Sequence, residues 1–458
     1  TSDKLGNGNN DVSFTIRNLG KNDITSFKAK YQIEGESNSV EETFETNIET
    51  YASEQFTFET PLFLSVGKYK LNVEITSVND SNDDYTTNNL ITKDIDVKLG
   101  TCQRIPMIEH FSSSTCDPCV AVNNTMSELT DNNKGKYTYT KYTVNGPGSG
   151  DPYYTEEVGT KMSYYNVLSV PQLHFDGDLV NKNAINETFQ KHYDKPALAN
   201  ARGAFKVEGK TIYVTADFMT YFNAKNVKAY VSVNEKTTTK NTGTNGETEF
   251  HHVMMKMLSG DQGKDLSTNA GEYQRLEFSY DMSSTFMEDI NDLEVALWIQ
   301  DGETKEIYNS HYAYEYTEHC YPARNLNVVA KTAKWDAPEK GNPAGYNVYV
   351  DGKLVAEKIS SLEYTSEWKN NRYVEVVAVY ENDKTSVGIA KFVGIEESIE
   401  EFKTDDINVY PNPVNDRLYV ETLTLTQTLT IEIFDVYGRR QKSIVNGQQS
   451  TVIDLSDL

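Results

Sequence analysis

The fold of this chain is constrained most by one short stretch, Cys116-Asp117-Pro118-Cys119. The apolar residues 106–111 before it predict a buried strand, and a turn rich in Ser and Thr joins that strand to the first cysteine. Cys116 is then expected at or near a helix N-terminus, where unpaired N–H groups favour an anion such as a thiolate. The helix is predicted to be amphipathic, with Cys119, Val122, Met126 and Leu129 on one face and Asn123, Asn124, Ser127 and Glu128 facing water.

Strands and helices continue to alternate after this helix. We expect a strand at 137–144, a helix ending near Asn166, a strand at Gln172–Phe175 after Val170-Pro171, a turn at Asp176-Gly177 and a helix at 183–193. The order strand, CxxC, helix, strand, helix, Val-Pro, strand resembles the thioredoxin fold, and the run 164–177 resembles that family at its Val-Pro segment. The resemblance covers residues 100–196 and implies that Pro171 is cis and lies against the CxxC pair.

Two positions depart from the thioredoxin pattern. Thr115 stands where the family usually has Trp, and His110 stands where the family has a buried acid. Glu109 is one residue away, so strand alternation places it on the opposite side of the sheet. The sequence therefore favours the fold of a redox protein over redox turnover.

The charge of the chain excludes some classes of partner. The 458 residues carry a formal net charge of −25, with acidic residues spread along the whole length. Such a surface repels phosphate backbones, so nucleic acid and anionic membranes are not expected partners. No apolar run approaches the roughly 20 residues that span a bilayer, and no signal peptide is visible at Thr1. No cofactor or metal is expected.

The chain has four cysteines, two of them in the CxxC pair. Cys102 and Cys320 stand near the two ends of the central region, which leaves two interpretations open. They form a structural disulfide that closes this region, or they are two unrelated buried thiols.

Short alternating strands dominate the rest of the chain and predict β-sandwiches. Residues 1–99 resemble the immunoglobulin-like, adhesion-related modules of bacterial surface proteins, mainly in 14–20, 31–35 and 67–73. Residues 197–317 are predicted to contain a packed Met-rich strand, Phe250–Met257, after the polar loop 237–249. Together with the CxxC region, these residues resemble the outer membrane protein 28 related family of Bacteroidota. Residues 318–394 resemble a fibronectin type III module with Trp335 as its core aromatic. The predicted fold class is multidomain α+β, mostly β, with a thioredoxin-like α/β domain embedded among Ig-like and fibronectin-like sandwiches.

The C-terminal part carries the most specific signature. Residues 395–406 are acidic, poor in aromatic residues and typical of a linker. After them, the runs 409–416, 431–439 and 453–458 closely resemble the C-terminal sorting domain of type IX secretion in Bacteroidota. That family has a further strand and a basic end, so the resemblance implies that the domain at 407–458 is truncated. It also implies the type IX secretion machinery as a partner, and an outer membrane surface or extracellular location.

Two functions are compatible with these features. In one, the protein is a surface binding, adhesion or scaffold protein that recognises a protein or another surface ligand, and the CxxC pair is a stabilising disulfide. In the other, it is a thiol-disulfide oxidoreductase that acts on cysteine-containing proteins. Cys116 would then be the attacking thiolate, Cys119 the resolving thiol and Pro171 the backbone platform for the substrate.

Overall fold

The computed structural model describes residues 5–6, 8–36, 38–64, 67–97, 102–315, 318–329, 331–350, 352–366, 372–393, 407–410, 417–422, 429–434, 440–446 and 450–455. The predicted linker at 395–406 lies outside these residues, as does most of the run 409–416 with which the sorting signature begins. Two compact units are present, Thr1–Val393 and Gly394–Leu458. The predicted fold class, a mostly β multidomain protein, is confirmed. The finer domain boundaries within residues 1–393 stay predictions.

The first part of the larger unit is built from strands alone. It contains β1 (Gly8–Asn10), β2 (Ser13–Arg17), β3 (Ile24–Ile33), β4 (Ser39–Ile48), β5 (Ser53–Thr57), β6 (Leu62–Leu64), β7 (Gly67–Val78) and β8 (Leu90–Val97). Its main sheet has the order β4-β3-β7-β8, and β1-β6 and β2-β5 form two smaller pairs. The sequence pattern does not predict β4, because two of its four alternate, half-buried positions hold the polar residues Glu42 and Thr46.

The central part combines three helices with a long sheet. Its elements are β9 (Met107–Ser112), α1 (Asp117–Asn132), β10 (Thr138–Thr143), α2 (Glu156–Tyr165), β11 (Gln172–Phe175), β12 (Asp178–Leu179), α3 (Ile185–Tyr193), β13 (Ala199–Glu208), β14 (Thr211–Thr220), β15 (Val227–Thr238), β16 (Phe250–Met257), β17 (Lys264–Leu266), β18 (Tyr273–Asp281), β19 (Leu293–Asp301), β20 (Ile307–Tyr312) and β21 (Tyr314–Glu315). The predicted strand Gln172–Phe175 and the turn at Asp176-Gly177 are confirmed, since β11 and β12 pair directly across this turn.

One sheet runs through most of this central part. Its order is β12-β11-β9-β10-β16-β15-β19-β20, and β17 also pairs with β15. β10 is parallel to both β9 and β16, so the strands around the CxxC pair continue directly into the strands that follow residue 226. A second sheet has the order β18-β14-β13-β21. The long sheet and this second sheet enclose a core of Val, Phe, Ile and Met side chains.

The last part of the larger unit has two sheets. Its strands are β22 (Arg324–Val329), β23 (Thr332–Asp336), β24 (Gly345–Val350), β25 (Lys353–Ile359), β26 (Glu363–Thr365), β27 (Arg372–Val379) and β28 (Thr385–Val393). They form the sheets β22-β23-β26 and β25-β24-β27-β28. Trp335 is buried between them and packs edge-on against Tyr346, which confirms it as a core aromatic.

The smaller unit is also a β structure. Its described strands are β29 (Ile407–Tyr410), β30 (Arg417–Thr422), β31 (Leu429–Phe434), β32 (Arg440–Asn446) and β33 (Ser450–Asp454). They pair as β29-β30-β33 and β31-β32.

Helices long and apolar enough to cross a membrane are absent from the residues that the structure describes.

Candidate functional site

The cysteine pair lies where the turn after β9 enters α1. Cys116 is the N-cap residue of α1 and Cys119 lies in its first turn. The two form a disulfide, and the Sγ of Cys116 is 3.7 Å from the carbonyl oxygen of Val170. The Val170-Pro171 bond is cis. The structure therefore brings together the two cysteines and the Val170-Pro171 segment that the sequence singled out.

Both cysteines are buried. Cys116 is 1% exposed and Cys119 is 0% exposed. The loop between β15 and β16, residues 239–249, lies against the turn that carries them, and we call this loop the strap. Its Asn245 backbone N–H donates to the carbonyl oxygen of Ser114 at 3.0 Å. The polar composition of residues 237–249 predicts a long hairpin or a mobile loop, and the antiparallel pairing of β15 with β16 shows a hairpin. The composition gives no sign of this contact with the CxxC turn.

The face of α1 that packs inward is largely the predicted one. Cys119, Val122, Met126 and Leu129 are buried. Asn123, predicted to face water, is buried as well, because its Nδ2 donates to both carboxylate oxygens of Glu247 in the strap at 2.9 and 3.0 Å.

A buried ion pair lies on the other side of β9. Glu109 and Lys161 of α2 are 0% and 1% exposed, with 3.4 Å between Glu109 Oε1 and Lys161 Nζ. Tyr142 and Tyr165 donate hydrogen bonds to the Glu109 carboxylate. Burial lowers the pKa of Lys161, and the attraction of Glu109 only partly offsets this. The predicted alternation of β9 is confirmed, since Ile108 packs in a different apolar cluster from Met107 and Phe111.

His110 and Lys141 are adjacent in the register of β9 and β10. His110 is fully buried, and burial holds the pKa of its imidazole well below the usual value, with the Lys141 charge adding to this. Lys141 is 4% exposed. Burial lowers its pKa to about 8, and the carboxylates of Glu247 and Asp151 partly offset the effect. His110, which stands where the thioredoxin pattern has an acid, thus has a second basic side chain beside it.

Cys102 and Cys320 do not form the bridge that one of the two open interpretations proposes. Both are free thiols, and burial raises the pKa of each to about 11. Cys102 packs near Tyr221, whose hydroxyl is 3.6 Å from its Sγ, and the carbonyl oxygen of Ala199 lies at 3.4 Å. The other interpretation, two separate thiols, describes the structure.

The Met-rich strand β16 departs from simple alternation. Val253 and Met255 pack in one apolar cluster, while Met254 and Met257 pack in another. An irregularity in the pairing of β15 with β16 near Met255 shifts the register, so Met257 does not share the face of Val253 and Met255, as plain strand alternation would require. Groups of three or more His, Cys, Asp or Glu side chains that could hold a metal ion are absent from the part of the chain that the structure describes.

Comparison with known families determines the cellular location of the protein. Residues 408–458 match the family described as a secretion system C-terminal sorting domain. The protein is exported to the cell surface. Export is through type IX secretion, and the chain is a cell-surface protein of Bacteroidota.

Several solved structures are similar to parts of the chain. HBP35 of Porphyromonas gingivalis is 14% identical over 64% of this chain and 99% of its own, with a TM-score of 0.39. A domain of the outer membrane lipoprotein Omp28 from Porphyromonas gingivalis is 16% identical over 26% of this chain and 88% of its own, with a TM-score of 0.21. Fibronectin(III)-like modules of Clostridium thermocellum CbhA are 12% identical over 42% of this chain and 88% of their own, with a TM-score of 0.17. No curated protein sequence matches the chain significantly.

Proposed function

We propose that this cell-surface protein is a binding or scaffold protein in which the thioredoxin-like region, residues 100–196, is a rigid core. The Cys116–Cys119 disulfide is structural in this proposal. The observation that carries it is the burial of both cysteines, which are 1% and 0% exposed. Thiol-disulfide exchange begins when a thiolate attacks one sulfur of the disulfide. A disulfide that no reactant reaches does not turn over.

The connection of the CxxC region to its neighbours supports a scaffold role. The continuous sheet joins β9 and β10 to β16 and β15. A buried ion pair within the CxxC region fixes Arg104, because the carboxylate of Asp176 accepts from Arg104 Nε at 2.9 Å and lies 3.1 Å from His192 Nδ1. Arg104 also donates to the carbonyl oxygen of Ile307 at the start of β20. These links hold the CxxC region in a fixed position in the larger unit.

A thiol-disulfide oxidoreductase is the second candidate. In favour of it, Cys116 caps α1, where backbone N–H groups stabilise a thiolate, and lies beside the Val170-Pro171 segment. Asp117 in the first turn of α1 opposes this effect, because a like charge disfavours the thiolate. A less stable thiolate makes the disulfide harder to reduce. In this role Cys116 would attack, Cys119 would resolve, and the substrate would be a cysteine-containing protein.

The proposed ligand is a protein or another surface molecule met outside the cell. Exposed side chains alternate along β4 and predominate along β25, which gives such a ligand accessible sheet faces. The acidic surface of the chain favours neutral or basic ligands over phosphate-rich ones. Adhesion is one form of this binding role.

Trapping of mixed disulfides tests the proposal. Full-length Cys119→Ser protein keeps Cys116 without its resolving partner, so an oxidoreductase would accumulate covalent complexes with envelope proteins. The control is the Cys116→Ser/Cys119→Ser variant, which retains Cys102 and Cys320. We expect identical band patterns for the two variants on non-reducing gels. Complexes specific to Cys119→Ser would contradict a structural role and support the oxidoreductase.

A further inference from the structure

The strap, residues 239–249, is fixed to the turn that carries the disulfide by more than one attachment. We propose that the strap is a redox gate. While attached, it keeps thiols away from the Cys116–Cys119 disulfide, and its release is the step that admits them. This inference rests on the proposed structural role of the disulfide and adds its regulation.

The first attachment is made by Asn245. Its backbone N–H donates to the carbonyl oxygen of Ser114 at 3.0 Å. Its side-chain Nδ2 lies 3.3 Å from the carbonyl oxygen of Ser113 and 3.4 Å from that of Cys116. One strap residue therefore contacts three of the four residues immediately before Asp117.

The second attachment joins the strap to α1. The carboxylate of Glu247 accepts from Asn123 Nδ2 at 2.9 and 3.0 Å and from Asn245 Nδ2 at 2.6 Å. The Glu247 backbone N–H donates to Asn245 Oδ1 at 3.0 Å. Hydrogen bonds to an ionised acceptor are stronger than neutral ones. Glu247 thus holds Asn245 in position and ties it to the helix that begins at the disulfide.

The third attachment is a close backbone approach. A Cβ on Gly243 would lie 2.4 Å from the carbonyl oxygen of Ser114, so only glycine allows this approach of the strap. Two residues earlier, Asn241 Nδ2 lies 3.5 Å from both carboxylate oxygens of Asp151, which also accepts from the Ser114 backbone N–H at 3.0 Å. Ser114 is therefore enclosed by the strap on one side and Asp151 on the other.

Reduction of the disulfide requires space that the attached strap does not leave. With dithiothreitol, one thiolate attacks a protein sulfur, the S–S bond breaks and a mixed disulfide forms. The second thiolate of the same reductant then displaces the protein sulfur. The reductant leaves as its cyclic disulfide, and Cys116 and Cys119 are left as two thiols. The strap is attached to backbone groups of the turn that the disulfide fixes, so breaking the S–S bond is also expected to loosen the strap.

The rate of reduction by dithiothreitol tests the gate. We measure this rate on the full chain by alkylating the released thiols and determining the mass of the peptide that contains Cys116 and Cys119. This peptide lacks Cys102 and Cys320, so their alkylation does not contribute to the signal. Gly243→Val forces the strap from Ser114, and Asn245→Ala removes its side-chain hydrogen bonds. Thr244→Val is the control, since Thr244 is exposed and adjacent.

We expect about tenfold faster reduction for Gly243→Val and Asn245→Ala, and an unchanged rate for Thr244→Val, since losing a few hydrogen bonds shifts an opening equilibrium by about that factor. Rates equal to that of the unsubstituted protein in both variants would overturn the gate.

Hydrogen exchange of the unsubstituted protein gives a second reading that does not depend on any variant. Amides of residues 239–249 are expected to exchange faster after reduction than before it, while amides of β3, in a different sheet, keep their rates. Equal strap exchange in the two redox states would overturn the coupling. The test is separable from that of the proposed function, because Cys119→Ser can trap envelope proteins whether or not the strap controls the rate of reduction.

Discussion

Replacement of Lys141 by Met is expected to stabilise the protein. Lys141 lies on β10, is 4% exposed, and has its pKa lowered by burial to about 8 from an ordinary 10.5. In the folded protein below pH 8, the ammonium group is charged in a site that disfavours charge. Met has a similar length and shape and carries no charge, so the variant avoids this cost.

The size of the effect follows from the pKa difference. One pKa unit corresponds to about 1.4 kcal/mol, so a shift from 10.5 to about 8 means that the charged Lys141 lowers the free energy of unfolding by about 3 kcal/mol at pH 7. Between pH 8 and 10.5 the folded protein has released this proton and the unfolded chain still binds it. Stability therefore rises with pH across this window. The Lys141→Met variant is expected to gain about 1–3 kcal/mol at pH 7 and to lack the rise.

Native-state hydrogen exchange of the β10 amides is the suitable assay, because a chain of several domains need not unfold in one step. Opening free energies are measured at pH 7 and pH 9 for the unsubstituted protein and for Lys141→Met. Lys134→Met is the control, since Lys134 is exposed and its loss is expected to change stability by less than about 0.5 kcal/mol. Lower stability of Lys141→Met at pH 7 would refute the reasoning.

Three further substitutions test other parts of the structure. Lys161→Met leaves the buried Glu109 carboxylate without its cation and is expected to lower the free energy of unfolding in urea by about 3–5 kcal/mol. Most of this loss is expected to be recovered in the double variant Glu109→Gln/Lys161→Met, and equal losses in the two variants would contradict this. Gly177→Ala is expected to lower stability by at least about 2 kcal/mol, because Gly177 has φ +92° and a Cβ would lie 2.1 Å from the Lys305 carbonyl oxygen; a loss below about 1 kcal/mol would argue against it. Burial raises the pKa of Asp176, but its cationic partners outweigh this and hold the pKa below the usual value, so the stability it contributes is lost as the pH falls below about 4. Asp176→Asn should show a weaker loss of stability in acid unfolding, and an unchanged acid dependence would contradict the assignment.

Local patterns predict the elements around the disulfide well. The spacing of Cys119, Val122, Met126 and Leu129 is enough to orient α1, because a helix buries residues three and four apart on one face. The same holds for β9, where alternation alone separates Glu109 from Ile108.

Contacts between distant residues could not be predicted in this way. Asn123 is polar and occupies a position next to the apolar stripe, and only its partner Glu247, 124 positions later, explains its burial. The strap likewise has the composition of a polar loop, and Asn245 attaches it to the CxxC turn through backbone carbonyl oxygens, which leave no trace in the side-chain pattern. In β16 a single extra residue at the pairing irregularity moves Met257 to the other face. Cys102 and Cys320 are far apart in the sequence, and no local residue pattern predicts whether they form a disulfide.

The reduction potential of the Cys116/Cys119 pair tests the central claim most directly. It is measured by equilibrating the full-length protein with glutathione redox buffers and counting alkylated thiols in the peptide that contains both cysteines. Because the disulfide is buried and flanked by Asp117, a structural role predicts a reduction potential below about −300 mV, at which the disulfide resists reduction by glutathione. A potential above about −250 mV, within the range of thiol-disulfide oxidoreductases, would contradict the structural role of this disulfide.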